Sequence, residues 1–163
     1  MIFKQSKKKT LDKYILENKE KFYKIAFVYL RNRENALDIV QDSILKSYTY
    51  IEKLKDIEAL DKWFTKLLIN TAIDFIRKNS KMVYLDNSNL DYLIDKKLRE
   101  EKTFNEIISS LDLELKGVII LKYFYGYKIS EVSEILGISE SDVKNKMHKS
   151  LKLLRKEISE EVL

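Results

Sequence analysis

Not one proline interrupts these 163 residues, and only three glycines do. A chain with so few backbone breakers, and with little strand-like alternation of apolar and polar residues, has helices as its main option. The expected fold class is therefore all-α. Three strong helical patterns occupy the stretch from about Leu11 to Ser80. Between Lys81 and Lys102 the period is lost among asparagine, serine and aspartate with scattered Tyr84, Leu85, Tyr92 and Leu93, and helical patterns then resume to the end. This pattern predicts two small helical domains, 1–80 and 103–163, joined by a flexible linker over 81–102.

The helix expected over Leu11–Leu30 places Ile15, Phe22, Ile25, Ala26 and Tyr29 on one side, and Asn32 is a good cap for the next. The second, Arg33 to about Ile51, is expected to bury Leu37, Val40, Ile44, Tyr48 and Ile51 and to turn Asp38, Gln41, Asp42 and Lys46 elsewhere. The third, about Leu60 to Asn79, is expected to bury Leu60, Phe64, Leu67, Leu68, Thr71 and Phe75. It also carries a polar ladder at spacing four: Lys62, Lys66, Asn70, Asp74 and Lys78. Taken alone, that ladder is an ordinary solvated face.

The C-terminal block says more. Ile129, Val132, Ile135 and Leu136 give a short helix one apolar face, and Gly137 supplies a turn at which positive φ meets no Cβ clash. Ser133 keeps the crossing small, and Ile138 can tuck between the helices. Ser139 stands where an N-cap is wanted, with Asp142 three residues on as a capping-box acid, so a second helix is expected from Glu140. Its buried stripe would be Val143, Met147, Leu151 and Leu154. Lys144, Asn145, Lys146, His148, Lys149, Lys152, Arg155 and Lys156 occupy the other faces, and no acid interrupts Val143 to Lys156. A helix entering the major groove of DNA needs that division between an anchoring stripe and long donors. A lysine-rich helix in water would carry a similar charge run; the turn glycine, the small residue, the cap and the acid-free second helix together favour DNA.

Composition excludes much else. There is no cysteine, one histidine and no glycine-rich loop. The usual means of thiolate metal binding, nucleophilic catalysis and phosphate cradling are missing, so neither an enzyme nor a metal or other cofactor is expected. No apolar run of 18 residues or more occurs, and the lysines near the N-terminus are not followed by an apolar signal core. The expectation is a cytoplasmic chain with no membrane insertion. The net charge of +5 is compatible with nucleic acid without demanding it.

Both blocks resemble one family. The segment NRENALDIVQDSILKSY (32–48) is similar to the second conserved region of extracytoplasmic-function sigma factors, and KWFTKLLINTAIDFIRK (62–78) to the helix that follows it. The helix-turn-helix, including Val143 to Lys149, is similar to the family's fourth region. The three matches occur in the family's order and cover nearly the whole chain. The resemblance implies a subunit that binds bacterial RNA polymerase core, carries it to promoter DNA and opens the duplex without itself catalysing a reaction.

By that resemblance, Asp38, Gln41 and Asp42 fall on the polymerase-binding face. Lys66, Asn70, Asp74, Arg77 and Lys78 fall on the minus-10 face, with Asn70 at the asparagine that helps capture a flipped base. The loop from Glu52 to Ala59 would form part of the pocket for that base, and Trp63 matches a family tryptophan with a packing role. Lys144, Asn145, Lys146, His148 and Lys149 fall on the minus-35 element, Lys146 more toward phosphate or solvent. The linker would thread toward the polymerase active site. Ile69 departs from the family, standing where a basic residue is common on the DNA side. Leu68 replaces a small residue, Leu37 an acid, and Asp112 a proline that commonly begins the C-terminal domain.

The resemblance also implies a stress or envelope response and a membrane-anchored anti-sigma partner, with toxin or bacteriocin genes as the alternative target. Two other classes stay open from the residues alone. One is a free-standing helix-turn-helix regulator with palindromic sites; the other is a helical scaffold or RNA-binding module.

Overall fold

The computed structural model describes residues 2–79, 106, 108–109 and 111–162, with side chains within 7–157. The described residues are mostly helical, without strands among them, and the chain divides into two compact units, residues 1–84 and 85–163. The expected linker over 81–102 lies outside the described residues.

The first unit is a three-helix bundle of α1 (Ile2–Leu30), α2 (Arg33–Tyr50) and α3 (Leu60–Lys78). Helix α1 begins well before Leu11; its opening residues are mostly lysine and polar, with no apolar stripe to announce them. Its predicted stripe is buried throughout: Ile15, Phe22, Ile25, Ala26 and Tyr29. Phe22 stacks on Phe64 of α3 with ring centroids 4.3 Å apart, and Tyr14 packs against both rings at 5.4 and 5.6 Å. Two polar ties brace the same junction. The Tyr14 hydroxyl donates to the Asp61 carboxylate at 2.6 Å, and the Lys21 ammonium meets the same oxygen at 2.9 Å. Further along, the Tyr48 hydroxyl donates to Asp12, and that hydrogen bond, with some burial, pushes the Tyr48 phenol up to about 12.

Arg31 takes a left-handed conformation (φ 54°) to end α1, and Asn32 then caps α2 as expected, its Oδ1 accepting the Asn35 N–H at 2.9 Å. The buried side of α2 differs from the expected one. Ala36, Ile39, Val40, Ser43 and Ser47 face the core, Ile44 and Tyr48 are only half-buried, and Leu37 is 45% exposed. Small residues let α2 approach its neighbours closely. Each serine hydroxyl is satisfied within its own helix, Ser43 on the Ile39 carbonyl and Ser47 on that of Ile44, so burying them leaves no polar group stranded. Ile51 is buried, as expected, but in a short 3₁₀ turn (Ile51–Lys53) beyond α2. A second such turn, Ile57–Ala59, leads into α3.

The core side of α3 comprises Leu60, Phe64, Thr65, Leu68, Ile69, Thr71 and Ala72. Leu67 and Phe75, expected inside, are half-buried. Ile69 is 1% exposed, so this position belongs to the core and not to an apolar patch on the DNA side. The family's basic residue has no counterpart there.

The second unit contains α4 (Leu113–Ile119), α5 (Ile129–Leu136) and α6 (Glu140–Val162). Asp112 stands at the N-cap position of α4 with φ −61° and ψ 157°, without a side-chain capping bond; that φ is the one a proline would supply. Every residue from Leu115 to Leu121 is buried, as befits a central helix that is covered on all sides. It ends in a π turn, Ile120–Phe124, closed by the Tyr125 N–H on the Ile120 carbonyl at 3.1 Å.

Candidate functional site

The helix-turn-helix forms as the residues dictate. Gly137 ends α5 in the left-handed region at φ 69°, and its N–H returns to the Ser133 carbonyl at 2.9 Å. Ser133 contributes its hydroxyl to the Ile138 carbonyl, so this small residue is a staple across the turn as well as a spacer. The Ser139 Oγ accepts the Asp142 N–H at 3.0 Å and starts α6 at Glu140. A Cβ at Gly137 would meet nothing within 4 Å, so the need for glycine there is purely conformational. Gly137→Ala is therefore expected to destabilise the second unit by about 1–2 kcal/mol, and Gly137→Asn by less. Urea or thermal melts of the three chains test this; equal stability of glycine and alanine would contradict it.

In α6 the anchor is Val143 and Ser150, both fully buried, with Met147, Leu151 and Leu154 half-buried along the same stripe. Ser150 was not expected inside; its hydroxyl is satisfied by the Lys146 carbonyl at 2.6 Å. Lys144, Asn145, His148 and Lys149 are exposed. Their spacing puts 144 with 148 and 145 with 149, on the side opposite Val143 and Ser150. Lys146 stands apart from them. It is half-buried, and its ammonium lies 3.1 Å from the Glu114 carboxylate of α4. The five residues expected on the minus-35 element are thus four on one open face plus a fifth engaged with the domain.

On α3, Lys66, Asn70, Asp74, Arg77 and Lys78 are all exposed, with Lys62 and Trp63 half-exposed. Behind them Phe64, Leu68 and Ala72 are fully buried. The face is rigid because its back is packed, and it mixes cationic donors with one amide able both to donate and to accept. The 51–59 loop precedes it directly.

The third face is on α2. Asp38, Gln41 and Asp42 are exposed, Asp42 pairing with Lys46 at 3.3 Å. The structure adds two residues that were not assigned there. Leu37 is 45% and Leu45 68% exposed, and with Gln41 they run at i, i+4, i+8 along one line of the helix. The signal was present in the sequence: Ala36, Ser43 and Ser47 mark the closely packed side, which leaves the leucines outside. This face therefore joins acid, amide and apolar surface.

Comparison with known proteins fits this geometry. Residues 14–82 match the family described as Sigma-70 region 2, and residues 102–154 match Sigma-70, region 4. The RNA polymerase sigma factor SigV of Bacillus subtilis is 36% identical over 162 residues, covering 98% of each chain. The ECF RNA polymerase sigma factor SigW of the same organism is 28% identical over 157 residues, covering 86% of this chain and 84% of its own. Among solved structures, the sigma factor RpoE in complex with the anti-sigma factor NepR from Bartonella quintana shares the fold at TM-score 0.74 and 16% identity, covering 91% of this chain and 96% of that one. CnrH in complex with the cytosolic domain of CnrY does so at TM-score 0.72, also with 16% identity, covering 91% and 87%. With both conserved regions in place and a relative matched from end to end, the chain belongs to the extracytoplasmic-function sigma factors, the alternative promoter-recognition subunits of bacterial RNA polymerase.

Proposed function

We propose that the three exposed faces divide the work of this sigma factor. The α2 face, with Leu37, Asp38, Gln41, Asp42 and Leu45, docks on polymerase core. The α3 face, with Lys66, Asn70, Asp74, Arg77 and Lys78, engages the minus-10 element as it opens, Asn70 holding an extruded base. The α6 face, with Lys144, Asn145, His148 and Lys149, enters the minus-35 major groove. Lys146 supports α6 through Glu114 and reaches at most a phosphate. The observation that carries this reading is the exposure pattern of α3, where Lys66, Asn70, Asp74 and Lys78 of the ladder are open and the back of the helix is sealed in the core.

Each promoter face offers only a few cationic side chains, so neither grips DNA strongly alone, and binding becomes firm when core polymerase holds both. The protein works in the cytoplasm and catalyses nothing itself; bond formation belongs to the polymerase. A dedicated anti-sigma protein keeps it inactive until an envelope or other stress signal arrives. The neighbouring structure of the sigma factor RpoE, solved with the anti-sigma factor NepR, supports that part of the reading. No helix among the described residues is long and apolar enough to cross a membrane.

Reconstitution with bacterial core polymerase on a promoter library, scored by transcript starts, is the direct test. Absence of both core binding and promoter-specific initiation overturns the assignment. Within that assay, Lys149→Ala is expected to reduce dependence on the minus-35 sequence. If Lys149 contacts only phosphate, sequence preference is instead unchanged and the salt slope of binding falls by about 1.

A further inference from the structure

The loop that enters α3 is held by a residue outside the matched region. Residues 14–82 carry the family resemblance; Lys7, a full turn and more before it, lies on the opening stretch of α1. Its Nζ sits 2.8 Å from the carbonyl oxygen of Leu54 and 3.4 Å from that of Glu52. Glu52 lies within the 3₁₀ turn beyond α2 and Leu54 is its C-cap, so both carbonyls stand at a helical end, where the backbone is electronegative and acceptors are left over. An ammonium with three donors suits that position.

The rest of the loop is fixed by short-range contacts. Ile51 and Leu54 are buried, the Leu54 N–H returns to the Ile51 carbonyl at 3.1 Å, and the Asp56 carboxylate accepts the Glu58 N–H at 3.0 Å. Those contacts shape the loop internally. Lys7 ties its first half to α1, and hence to the same helix that packs Phe22 on Phe64 beneath α3. The loop's exposed residues, Glu52, Lys53, Lys55, Asp56 and Glu58, are thereby presented from a fixed backbone.

We propose that Lys7 is a positioning residue for minus-10 recognition: its ammonium, holding the Glu52 and Leu54 carbonyls, sets the 52–59 loop before DNA arrives. The inference rests on the reading of this loop as part of the pocket for the extruded base. A pocket ordered in advance loses less entropy on binding, and more of the contact energy then separates the right base from the wrong one.

The test uses the full chain with bacterial core polymerase on a promoter library randomised across the minus-10 element. Lys7→Met keeps the aliphatic stem and removes the donors; Lys7→Arg keeps both. Lys7→Met is expected to lower discrimination among minus-10 bases by about three- to tenfold, the scale of the net contribution of one ordinary hydrogen bond. Core affinity and minus-35 dependence stay as in the parent chain, and Lys7→Arg restores most of the discrimination. Tyr48→Phe removes another tie between α1 and α2, the one to Asp12, and is expected to leave base preference alone.

Equal loss on every promoter, accompanied by weaker core binding, makes Lys7 merely structural and overturns the inference. The companion variant Lys55→Ala/Glu58→Ala separates the two levels. If it shifts minus-10 preference while Lys7→Met does not, the positioning role fails and the loop reading stands. If neither shifts it, the loop reading fails and takes the inference with it.

Discussion

Replacing Asn70 with alanine is expected to lower open-complex formation by about ten- to hundredfold, the equivalent of one well-made bidentate contact to a base at 1–3 kcal/mol. Core binding should be unchanged, because Asn70 is exposed on α3 and the proposed polymerase face is on α2. The fold should be unchanged as well, since Phe64, Leu68, Ile69 and Ala72 do the packing of that helix. Three measurements resolve it: permanganate reactivity of the opened strand, affinity for core, and a thermal melt. An amide is the informative group to remove. Its lysine neighbours can draw a phosphate toward the helix, but only a side chain that both donates and accepts can satisfy a base edge that does the same. Asn70→Asp sharpens the result: it keeps the shape, loses the donor and adds a charge facing the DNA backbone, so its defect should equal or exceed that of alanine. Parallel loss of core binding and of opening in Asn70→Ala would show that Asn70 is structural.

How far the residues announced these surfaces differs from helix to helix. In α1 and α5 the apolar period is unbroken by buried polar residues; the fold buries the predicted stripe from Ile15 to Tyr29, and of Ile129, Val132, Ile135 and Leu136 it buries Val132 and Ile135 and half-buries the other two. The turn at Gly137 and the cap at Ser139 were legible for a stronger reason: each requires a particular backbone or donor chemistry that few residues supply. Reading faltered where the core is built from serine. Ser43, Ser47 and Ser150 are each fully buried, with hydroxyls returned to a carbonyl of their own helix. A pattern that counts serine as polar turns α2 by about one residue and hides Leu37 inside. The Lys146–Glu114 pair was hidden for a related reason, because spacing reports which side a lysine occupies but not the acid on another helix that engages it. Lys7 could not have been found from periodicity at all, as its partners are backbone carbonyls 45 and 47 residues away.

The rotation of α2 leads to the second large effect. Leu45→Lys is expected to weaken binding to polymerase core by about ten- to hundredfold, the range given by burying or exposing one leucine side chain at 1.5–3 kcal/mol. The fold should tolerate the change because Leu45 is 68% exposed and a lysine on that face remains in water. Apolar side chains this exposed, lined up with Leu37 and flanked by Asp38, Gln41 and Asp42, have the composition of an interface centre within a polar rim. The acids alone make a weaker case. Asp42 is already paired with Lys46, so docking must either keep that pair or exchange it for another, and exposed pairs contribute little either way. Asp42→Asn should accordingly reduce affinity far less than Leu45→Lys and act mainly through association rate and salt dependence. A positive charge at 45 both removes apolar contact and opposes the basic surface that the acids suit. Titration of labelled chain with core polymerase at two salt concentrations distinguishes the contributions. If Asp42→Asn proves the more damaging of the two, docking is electrostatic and the leucines are bystanders. If Leu45→Lys dominates and its defect persists at high salt, the apolar line from Leu37 to Leu45 is what holds the polymerase.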